Sequence, residues 1–433
     1  PYLVKDLRAG SGDKLISNIR FALTSRFYLI MVLLIITVIT ALATGFELFF
    51  RLAYIIIIVS LVSLISVYLN IRKIEVSIDR RNHLLSVGEQ IDKRISIRNL
   101  SVIPKTLILA TDITTIPEYT SSFALGLTAK GYRSWRSTDY ARQRGVFEMG
   151  PIEISTTDLL GIYKASTRHG EIDKIMVYPK IYDLRNFNIG TSQITNEGTS
   201  RKKSNILSPH ASSVREYAYG DSLSRVHWKT TARTNRLMSK EFDVGSSNEV
   251  VILNDLDISV QCGRVEDSTD ELSISVTASL TKSYTDSHTP VGFLSHGNDR
   301  YYITPGIGSS HFDRTMQTLA VAKPGNGKKL QQVIAEERNI WFNNSSIIII
   351  TPSSETEWVT ALSELSQFNT SITVIMVNAK SFGGKHELGP ILSALDNIGI
   401  SPYVINKNDE LNESLSRSFF KRSVQNLSMT KSS

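Results

Sequence analysis

Two long apolar runs near the start of the chain constrain its fold more than any other feature. One run lies between Arg26 and Glu47 and the other between Arg51 and Arg72; each has 20 residues and no charge. At about 1.5 Å per residue, a helix of this length spans the roughly 30 Å hydrocarbon core of a bilayer. We therefore predict a transmembrane helical hairpin over residues 27–72, rather than a cleaved signal peptide or a buried pair of core helices.

Basic residues flank both ends of this hairpin and predict its orientation. They are Lys5, Arg8, Lys14, Arg20 and Arg26 before it, and Arg72, Lys73, Arg80 and Arg81 after it. The positive-inside rule predicts a two-span protein of the cytoplasmic (inner) membrane, with both termini and all soluble domains cytoplasmic. The single cysteine, Cys262, agrees with a reducing compartment. Residues 1–26 form a basic juxtamembrane segment, in which we expect a helix on the anionic leaflet over residues 2–25. We also expect residues upstream of Pro1, because the chain does not begin with methionine.

Short alternating segments dominate residues 73–185. Turn residues separate them, and no helical period is present, so we predict a β-sandwich with an immunoglobulin-like arrangement. The predicted strands are 74–78, 90–99, 105–113, 145–156, 159–167 and 173–179. The arginine-rich stretch 133–144 is interpreted as a solvated strand face, with a lipid-headgroup surface as the alternative. Residues 186–213, rich in Ser, Thr, Asn and Gly, are predicted to form a flexible linker.

Residues 214–243 form the most informative motif. An extended piece leads into a Gly-Asp turn, where the aspartate is a good N-cap for a helix from Ser222 to about Ala232. A strand is expected after Asn235. The candidate interaction residues of this motif are Arg215, Tyr217, Gly220, Asp221, Arg225, Trp228, Lys229 and Arg233.

Two interpretations of this motif are open. We favour a structural brace, in which Trp228 packs between the two soluble domains. The salt-bridged network of this brace would comprise Arg215, Asp221, Arg225 and Arg233. Alternatively, the motif docks an acidic partner surface, a nucleotide or a phosphorylated ligand, because nine Lys and Arg stand against three Asp and Glu in residues 201–241.

The order Arg-x-Tyr-x-x-Gly-Asp, then Arg, His-Trp-Lys and Ala-Arg, resembles the hallmark of a bacterial family known as domain of unknown function 58. Upstream segments agree at Arg144–Phe147, Asp158–Tyr163 and Val177–Pro179, while Tyr219 and Thr230–Thr231 depart from the family pattern. The resemblance implies a membrane hairpin followed by soluble domains. It further implies a C-terminal domain like that of von Willebrand factor A and a MoxR-type AAA+ ATPase as partner.

Residues 244–433 alternate between apolar strands and helical segments, which predicts a doubly wound α/β domain with a mostly parallel sheet. Strands are expected at 250–255, 290–296, 346–351, 371–377 and 401–406, and helices at 270–284, 308–322, 358–368 and 389–399.

Domains of the von Willebrand factor A type often bind a divalent cation through Asp-x-Ser-x-Ser after the first strand. Here Asp255, Asp257 and Ser259 keep oxygen ligands that suit Mg²⁺. Pro352, however, stands where a later acidic ligand is expected, and the sequence offers no convincing threonine partner. We therefore predict a degenerate site without metal or other cofactor, with Mg²⁺ binding as the alternative.

The chain offers no assembled catalytic motif in its sequence. It has no His-Glu-x-x-His and no Gly-x-Ser-x-Gly, and residues 323–329 lack the spacing of a phosphate loop. Basic residues without interleaved stacking aromatics do not favour nucleic-acid binding. We predict a non-enzymatic, membrane-anchored adaptor or scaffold with cytoplasmic domains. Its partner would be a MoxR-type ATPase in envelope or stress-related assembly, and a homo-oligomer stays open. The alternatives are a membrane-associated hydrolase and a cation-dependent adhesion module.

Overall fold

The structure is a computed structural model. It describes residues 19–80, 84–119, 121–184, 211–218, 226–242, 249–264, 266–337, 340, 346–366 and 371–416. The chain divides into an N-terminal unit, residues 1–178, and a C-terminal unit, residues 179–433. The boundary falls a few residues before the end of the β domain expected from the sequence.

The two apolar runs form helices α1 (Ser25–Thr44) and α2 (Glu47–Ile71). Gly45 ends α1 with φ of 66°, and its N–H donates to the Ala41 carbonyl, so the chain reverses within two residues. Most side chains of both helices are exposed and apolar, and both helices are long and apolar enough to cross a membrane. The two apolar helices expected from the sequence are confirmed, whereas the side of the membrane stays a prediction.

Ten strands form the rest of the N-terminal unit. They are β1 (Arg20–Leu23), β2 (Ile74–Arg80), β3 (Leu84–Ser86), β4 (Gln90–Asn99), β5 (Lys105–Thr114), β6 (Ser122–Leu127), β7 (Tyr132–Tyr140), β8 (Gly145–Thr157), β9 (Tyr163–His169) and β10 (Asp173–Tyr178). Strands β2, β4 and β7 make an antiparallel sheet, and the others make a seven-stranded sheet in which β8 pairs with β5, β9 and β10. Ile97 of one sheet and Ile154 of the other lie in one core, together with Val67 and Ile71 of α2.

The segment before the first helix differs from the prediction. Residues 20–23 were expected in a juxtamembrane helix, but they form β1, which pairs antiparallel with β9 from Arg20 opposite Ser166 to Leu23 opposite Tyr163. The edge of β9 supplies hydrogen-bond partners for the backbone of these four residues. Residues 1–18 of the expected segment lie outside the described residues. The pairing places the chain before α1 and the chain after α2 in the same sheet.

Most of the other strands predicted for this unit are confirmed, but three observed strands were not predicted. Strands β3, β6 and β7 were not predicted, and the segment expected to start a strand at residue 159 is a turn as far as Ile162. The arginine-rich stretch is largely β7, in which exposed and half-buried side chains alternate as a solvated strand face requires.

Among the described residues of the C-terminal unit, the first elements are strand β11 (Ala211–Glu216), helix α3 (Trp228–Thr234) and strand β12 (Met238–Phe242), and β11 pairs with β12. The remaining strands are β13 (Val250–Asp255), β14 (Gly263–Arg264), β15 (Asp267–Ser268), β16 (Val291–His296), β17 (Arg300–Gly306), β18 (Ser346–Thr351), β19 (Ile372–Val377) and β20 (Tyr403–Ile405). The remaining helices are α4 (Thr269–Asp286), α5 (Ser309–Val321), α6 (Leu330–Glu336), α7 (Glu357–Ser366), α8 (Gly389–Asn397) and α9 (Leu411–Ser416).

Six of these strands form one sheet in the order β17-β16-β13-β18-β19-β20. All neighbours are parallel except β17, which runs antiparallel at one edge. Alternate residues of β13 enter two separate cores, Val251 and Leu253 on one face and Val250 and Ile252 on the other. Each face of the sheet is therefore covered, as the continuous apolar strands require. The alternation of strands and helices is confirmed, whereas β14, β15, β17, α6 and α9 were not predicted. Of the predicted linker, residues 186–210 lie outside the described residues, and 211–213 begin β11.

Candidate functional site

The central crevice of the α/β sheet lies where β13 and β18 end side by side. From β13 the chain crosses to β16 on one side, whereas β18 is followed by β19 on the other. In open α/β sheets, ligands bind outside the carboxyl ends of the strands at such a reversal of strand order. Asp255 ends β13 and Thr351 ends β18, so the geometry places both side chains at this point.

Asp255 is the centre of a hydrogen-bond network in this crevice. Thr351 Oγ1 donates to Asp255 Oδ2 at 2.7 Å, and the Asp257 backbone N–H donates to Asp255 Oδ1 at 3.2 Å. The Ser259 N–H in turn donates to Asp257 Oδ1 at 3.0 Å. The three predicted ligand residues are thus brought together, and both oxygens of Asp255 already accept hydrogen bonds within the protein.

Burial makes the ionised form of Asp255 unfavourable. The pKa of its carboxyl rises to about 6, mainly through desolvation. Hydrogen bonds from Thr351 and from the Asp257 backbone oppose this rise, whereas the nearby charges of Asp257 and Glu355 add to it. Asp255 therefore changes its charge close to neutral pH.

The crevice itself is small. Its volume is about 10 Å³, which corresponds to roughly one water molecule. Lys329 and Glu355 lie at its wall, 3.3 Å apart between Nζ and Oε2. Trp358 also lines it, and the buried indole N–H of this residue has no hydrogen-bond partner among the described residues. Within the described part of the chain, no three His, Cys, Asp or Glu side chains are grouped as a metal site.

The described residues of the motif, 214–218 and 226–242, form an antiparallel strand pair, β11 and β12, and the short helix α3; we call this the β hairpin. The N–H of Tyr217 donates to the Leu237 carbonyl at 2.8 Å, and that of His227 donates to the Met238 carbonyl at 2.8 Å. His227 caps α3, because its Nδ1 accepts from the Thr230 N–H at 3.3 Å. The helix starts six residues later than expected, and the strand predicted after Asn235 is confirmed as β12.

Trp228 is not covered by the strands next to it, and its expected packing between the two soluble domains stays a prediction. Its side chain is 66% exposed, and no residue of α3 is buried. The buried position nearby belongs to Val226, which bridges to Ser239 of β12, so the first turn of α3 faces solvent. Lys229 and Arg233 are exposed on the same helix.

The other residues predicted for this motif have different outcomes. Arg215 lies in β11 opposite Ser239, and Tyr217 follows that strand half-buried. Gly220, Asp221 and Arg225 lie outside the described residues, so their expected network stays a prediction. Sequence reasoning missed the contact between Thr351 and Asp255, although a threonine at the end of an apolar strand was a visible signal.

Comparison with known proteins agrees with the resemblance seen in the sequence. A family model described as "Protein of unknown function DUF58" matches residues 213–381, which include the hairpin and much of the α/β sheet. A relative, "Uncharacterized protein YeaD" of Bacillus subtilis (strain 168), is 26% identical over 240 residues. That match covers 55% of this chain and 57% of the relative. The chain is therefore similar to this family, and its match spans little more than half of the relative.

Two of the solved structures that match the chain each cover about a quarter of it. A β-glucosidase from Listeria innocua bound to glucose is 11% identical, with 24% of this chain and 16% of that chain covered and a TM-score of 0.18. The CARDB domain of PF1109 from Pyrococcus furiosus is 11% identical; the match covers 24% of this chain and 94% of that domain, with a TM-score of 0.18. Similarity at this level supports no argument about fold or function.

Proposed function

We propose that the protein is a membrane-anchored, non-enzymatic adaptor that docks a MoxR-type AAA+ ATPase. In this proposal the N-terminal unit is an immunoglobulin-like β-sandwich, and the C-terminal unit is a von Willebrand factor A-like domain. The observation that carries the proposal is the exposure of Trp228 on α3. Tryptophan is the residue type most enriched at protein-binding hot spots, because it buries a large rigid surface at little entropic cost.

The charges around Trp228 favour an acidic partner surface. Lys229 and Arg233 are exposed on the same helix, and Arg236 forms an exposed ion pair of 2.7 Å with Glu216 at the base of the hairpin. Exposed charges at the rim of an interface mainly accelerate association and select the partner. This surface would therefore provide an aromatic anchor within a basic rim.

The central crevice supports docking over catalysis. A space of about 10 Å³ does not admit an organic substrate, and both oxygens of Asp255 accept hydrogen bonds, one from the Asp257 backbone and one from Thr351. The proposal therefore assigns Asp255, Asp257 and Ser259 a structural role without metal.

Capture of the cognate ATPase by the full-length protein in lipid nanodiscs tests this proposal. Trp228→Ala should weaken binding at least about tenfold, as the loss of an interface hot spot does, and Trp228→Phe should restore part of it. Lys229→Glu with Arg233→Glu should reduce the association rate and its dependence on salt. The matched control is Lys282→Glu with Lys380→Glu, which changes two exposed lysines outside the hairpin.

The hydrolase alternative predicts a different result. If the ATPase fails to bind in either nucleotide state while the purified protein hydrolyses a substrate, the adaptor proposal is wrong. If the parent and Trp228→Ala bind the ATPase equally well, the adaptor proposal stands, but the β11–β12 hairpin is not its docking surface.

A further inference from the structure

Two loops of the N-terminal unit expose apolar side chains where the chain joins the helical hairpin. Loop A, residues 158–161, carries Leu159 at 97% exposure, with Leu160 half-exposed. Loop B, residues 100–103, carries Val102 at 73% exposure, with Leu100 and Ile103 also exposed. Single exposed aliphatic residues are common on protein surfaces. Exposure alone therefore does not make these side chains a binding surface, and the structure and location of the two loops decide the question.

Loop A is held rigid by one buried carboxylate. Asp158 Oδ1 accepts from the Tyr163 N–H at 2.8 Å, and Oδ2 accepts from the Leu160 N–H at 3.1 Å. Its carbonyl accepts from the Gly161 N–H at 3.0 Å, and Gly161 has φ of 67°, which permits the tight return. A loop fixed in this way cannot fold its leucines back onto the protein.

Loop B is built around one buried amide in a similar way. Asn99 Nδ2 donates to the Ile103 carbonyl at 2.9 Å and to the Thr128 carbonyl at 3.0 Å, while Oδ1 accepts from the Ser101 N–H at 3.0 Å. Asn99 is almost fully buried. The loop therefore holds Val102 outward by a framework of side-chain hydrogen bonds.

Each loop contacts a basic end of the predicted spans. Arg26, which precedes the first uncharged run, donates from Nη1 to the Leu160 carbonyl at 2.8 Å. Lys73, which follows the second run, accepts through its carbonyl from the Leu100 N–H at 2.9 Å. Basic residues at the ends of a membrane span lie at the level of the lipid headgroups. Both loops consequently occur at the level where the hairpin leaves the bilayer.

We propose that loops A and B insert their apolar side chains into the interfacial layer of the leaflet from which the hairpin emerges. The lipid surface is the occupant of this face because each loop is hydrogen-bonded to a basic residue at which a predicted span ends, Arg26 for loop A and Lys73 for loop B. The N-terminal unit then lies on the bilayer with a fixed orientation instead of moving freely on a tether. This inference rests on the membrane anchor assigned above, and the experiment separates the two.

Depth measurements on the full-length protein in phosphatidylcholine and phosphatidylglycerol vesicles test the inference. In a Cys262→Ser background, single cysteines replace Leu159, Val102, Ile172 or Leu42 and receive an environment-sensitive fluorophore. Ile172 is the matched control: it is 57% exposed and follows the far end of β9, about 20 Å from loop A. Leu42, exposed on α1, reports whether the hairpin itself is inserted.

We expect lipids spin-labelled near the headgroup to quench positions 159 and 102 several-fold more than position 172, with aqueous iodide giving the reverse order. If quenching at positions 159 and 102 equals that at position 172, while position 42 is quenched by deeply labelled lipid, the loops stay in water. The membrane anchor is then supported, and the insertion of the loops is wrong. If position 42 is not quenched, the hairpin is not in the bilayer, and both the anchor and this inference are wrong. Each substituted side chain is exposed, so circular dichroism of the variants should match that of the parent.

Discussion

At the scale of single residues, Asp255 shows how a buried side chain can carry a cost that depends on pH. Its folded-state pKa is about 6, above the ordinary value of about 3.9. Between these two pH values the folded protein binds more protons than the unfolded chain. The free energy of unfolding therefore falls as pH rises through this window, by an amount on the order of 2–3 kcal/mol for this group.

Asp255→Asn should remove that dependence. Asparagine stays neutral; its Oδ1 can accept from the Asp257 N–H, and its Nδ2 can donate to the Thr351 hydroxyl. We therefore expect the variant to be more stable than the parent above about pH 6 and to match it most closely near pH 4. Denaturant unfolding at several pH values checks this. Thr351→Val removes a hydrogen bond that lowers the pKa of Asp255, so it should extend the pH-dependent loss to higher pH. A parent and Asp255→Asn with parallel pH profiles would contradict the assignment.

Trp228 and Trp358 form a second comparison between residues. Trp358 is almost fully buried in the core beneath the sheet, so Trp358→Ala should lower the free energy of unfolding by about 3–5 kcal/mol. Trp228 is exposed, so Trp228→Ala should change it by less than about 0.5 kcal/mol. Thermal unfolding of the two variants decides the point, and a large destabilisation by Trp228→Ala would favour the brace again.

At the scale of helices and strands, the sequence predicts an element well where the run of apolar residues that forms it is long. Helices α1 and α2 follow from uncharged runs, and β13 and β18 follow from apolar runs of strand length. Strand β3 has only three residues, which leaves no period to detect. The contact between Asp255 and Thr351 joins residues distant in sequence, and only the register of the sheet brings them together. The surroundings of Trp228 do not follow from the sequence, because helical spacing shows which residues share a face but not whether that face is covered.

Strands β4 and β5 belong to different sheets and are joined by a buried ion pair. Lys93 of β4 donates to Asp112 of β5 in the core, and the Lys93 ammonium lies 4.4 Å from the centroid of the Tyr119 ring. Asp112→Ala leaves the lysine buried without its counter-charge and should cost about 3–5 kcal/mol of stability. Lys93→Met combined with Asp112→Leu removes both charges, so it should cost less than Asp112→Ala alone.

Chemical denaturation of the single and double variants measures this coupling. Glu118→Ala is the control, because it breaks the exposed pair with Arg142 and should cost less than about 1 kcal/mol. Additive effects of the Lys93 and Asp112 substitutions would show that the pair does not act as a unit.

At the scale of the whole molecule, the pairing of β1 with β9 limits the membrane topology. β1 precedes α1 and β9 follows α2, yet both strands lie in one sheet. The two ends of the hairpin must therefore emerge on the same side of a membrane, whichever side that is. The basic residues that flank the two helices predict that this side is the cytoplasmic one.

Reporter fusions after residue 433 test the side. We expect a cytoplasmic fluorescent reporter to be active there and alkaline phosphatase to be inactive. Phosphatase inserted at Gly45, between the helices, should give the opposite result. Strong phosphatase activity at the C-terminal position would reverse the assigned orientation while leaving the pairing of β1 and β9 intact.

The same pairing also orders the biogenesis of the protein. Arg20–Leu23 is synthesised before either helix, but the strand it joins is synthesised after both. β1 can pair with β9 only if both helices insert into the membrane and Arg20–Leu23 remains on the side where β9 is synthesised. A nascent chain inserted with one crossing would keep the edge of β9 open, because β1 would be on the wrong side. Such a chain would present the unpaired backbone groups of the β9 edge, which can pair with other chains and promote aggregation.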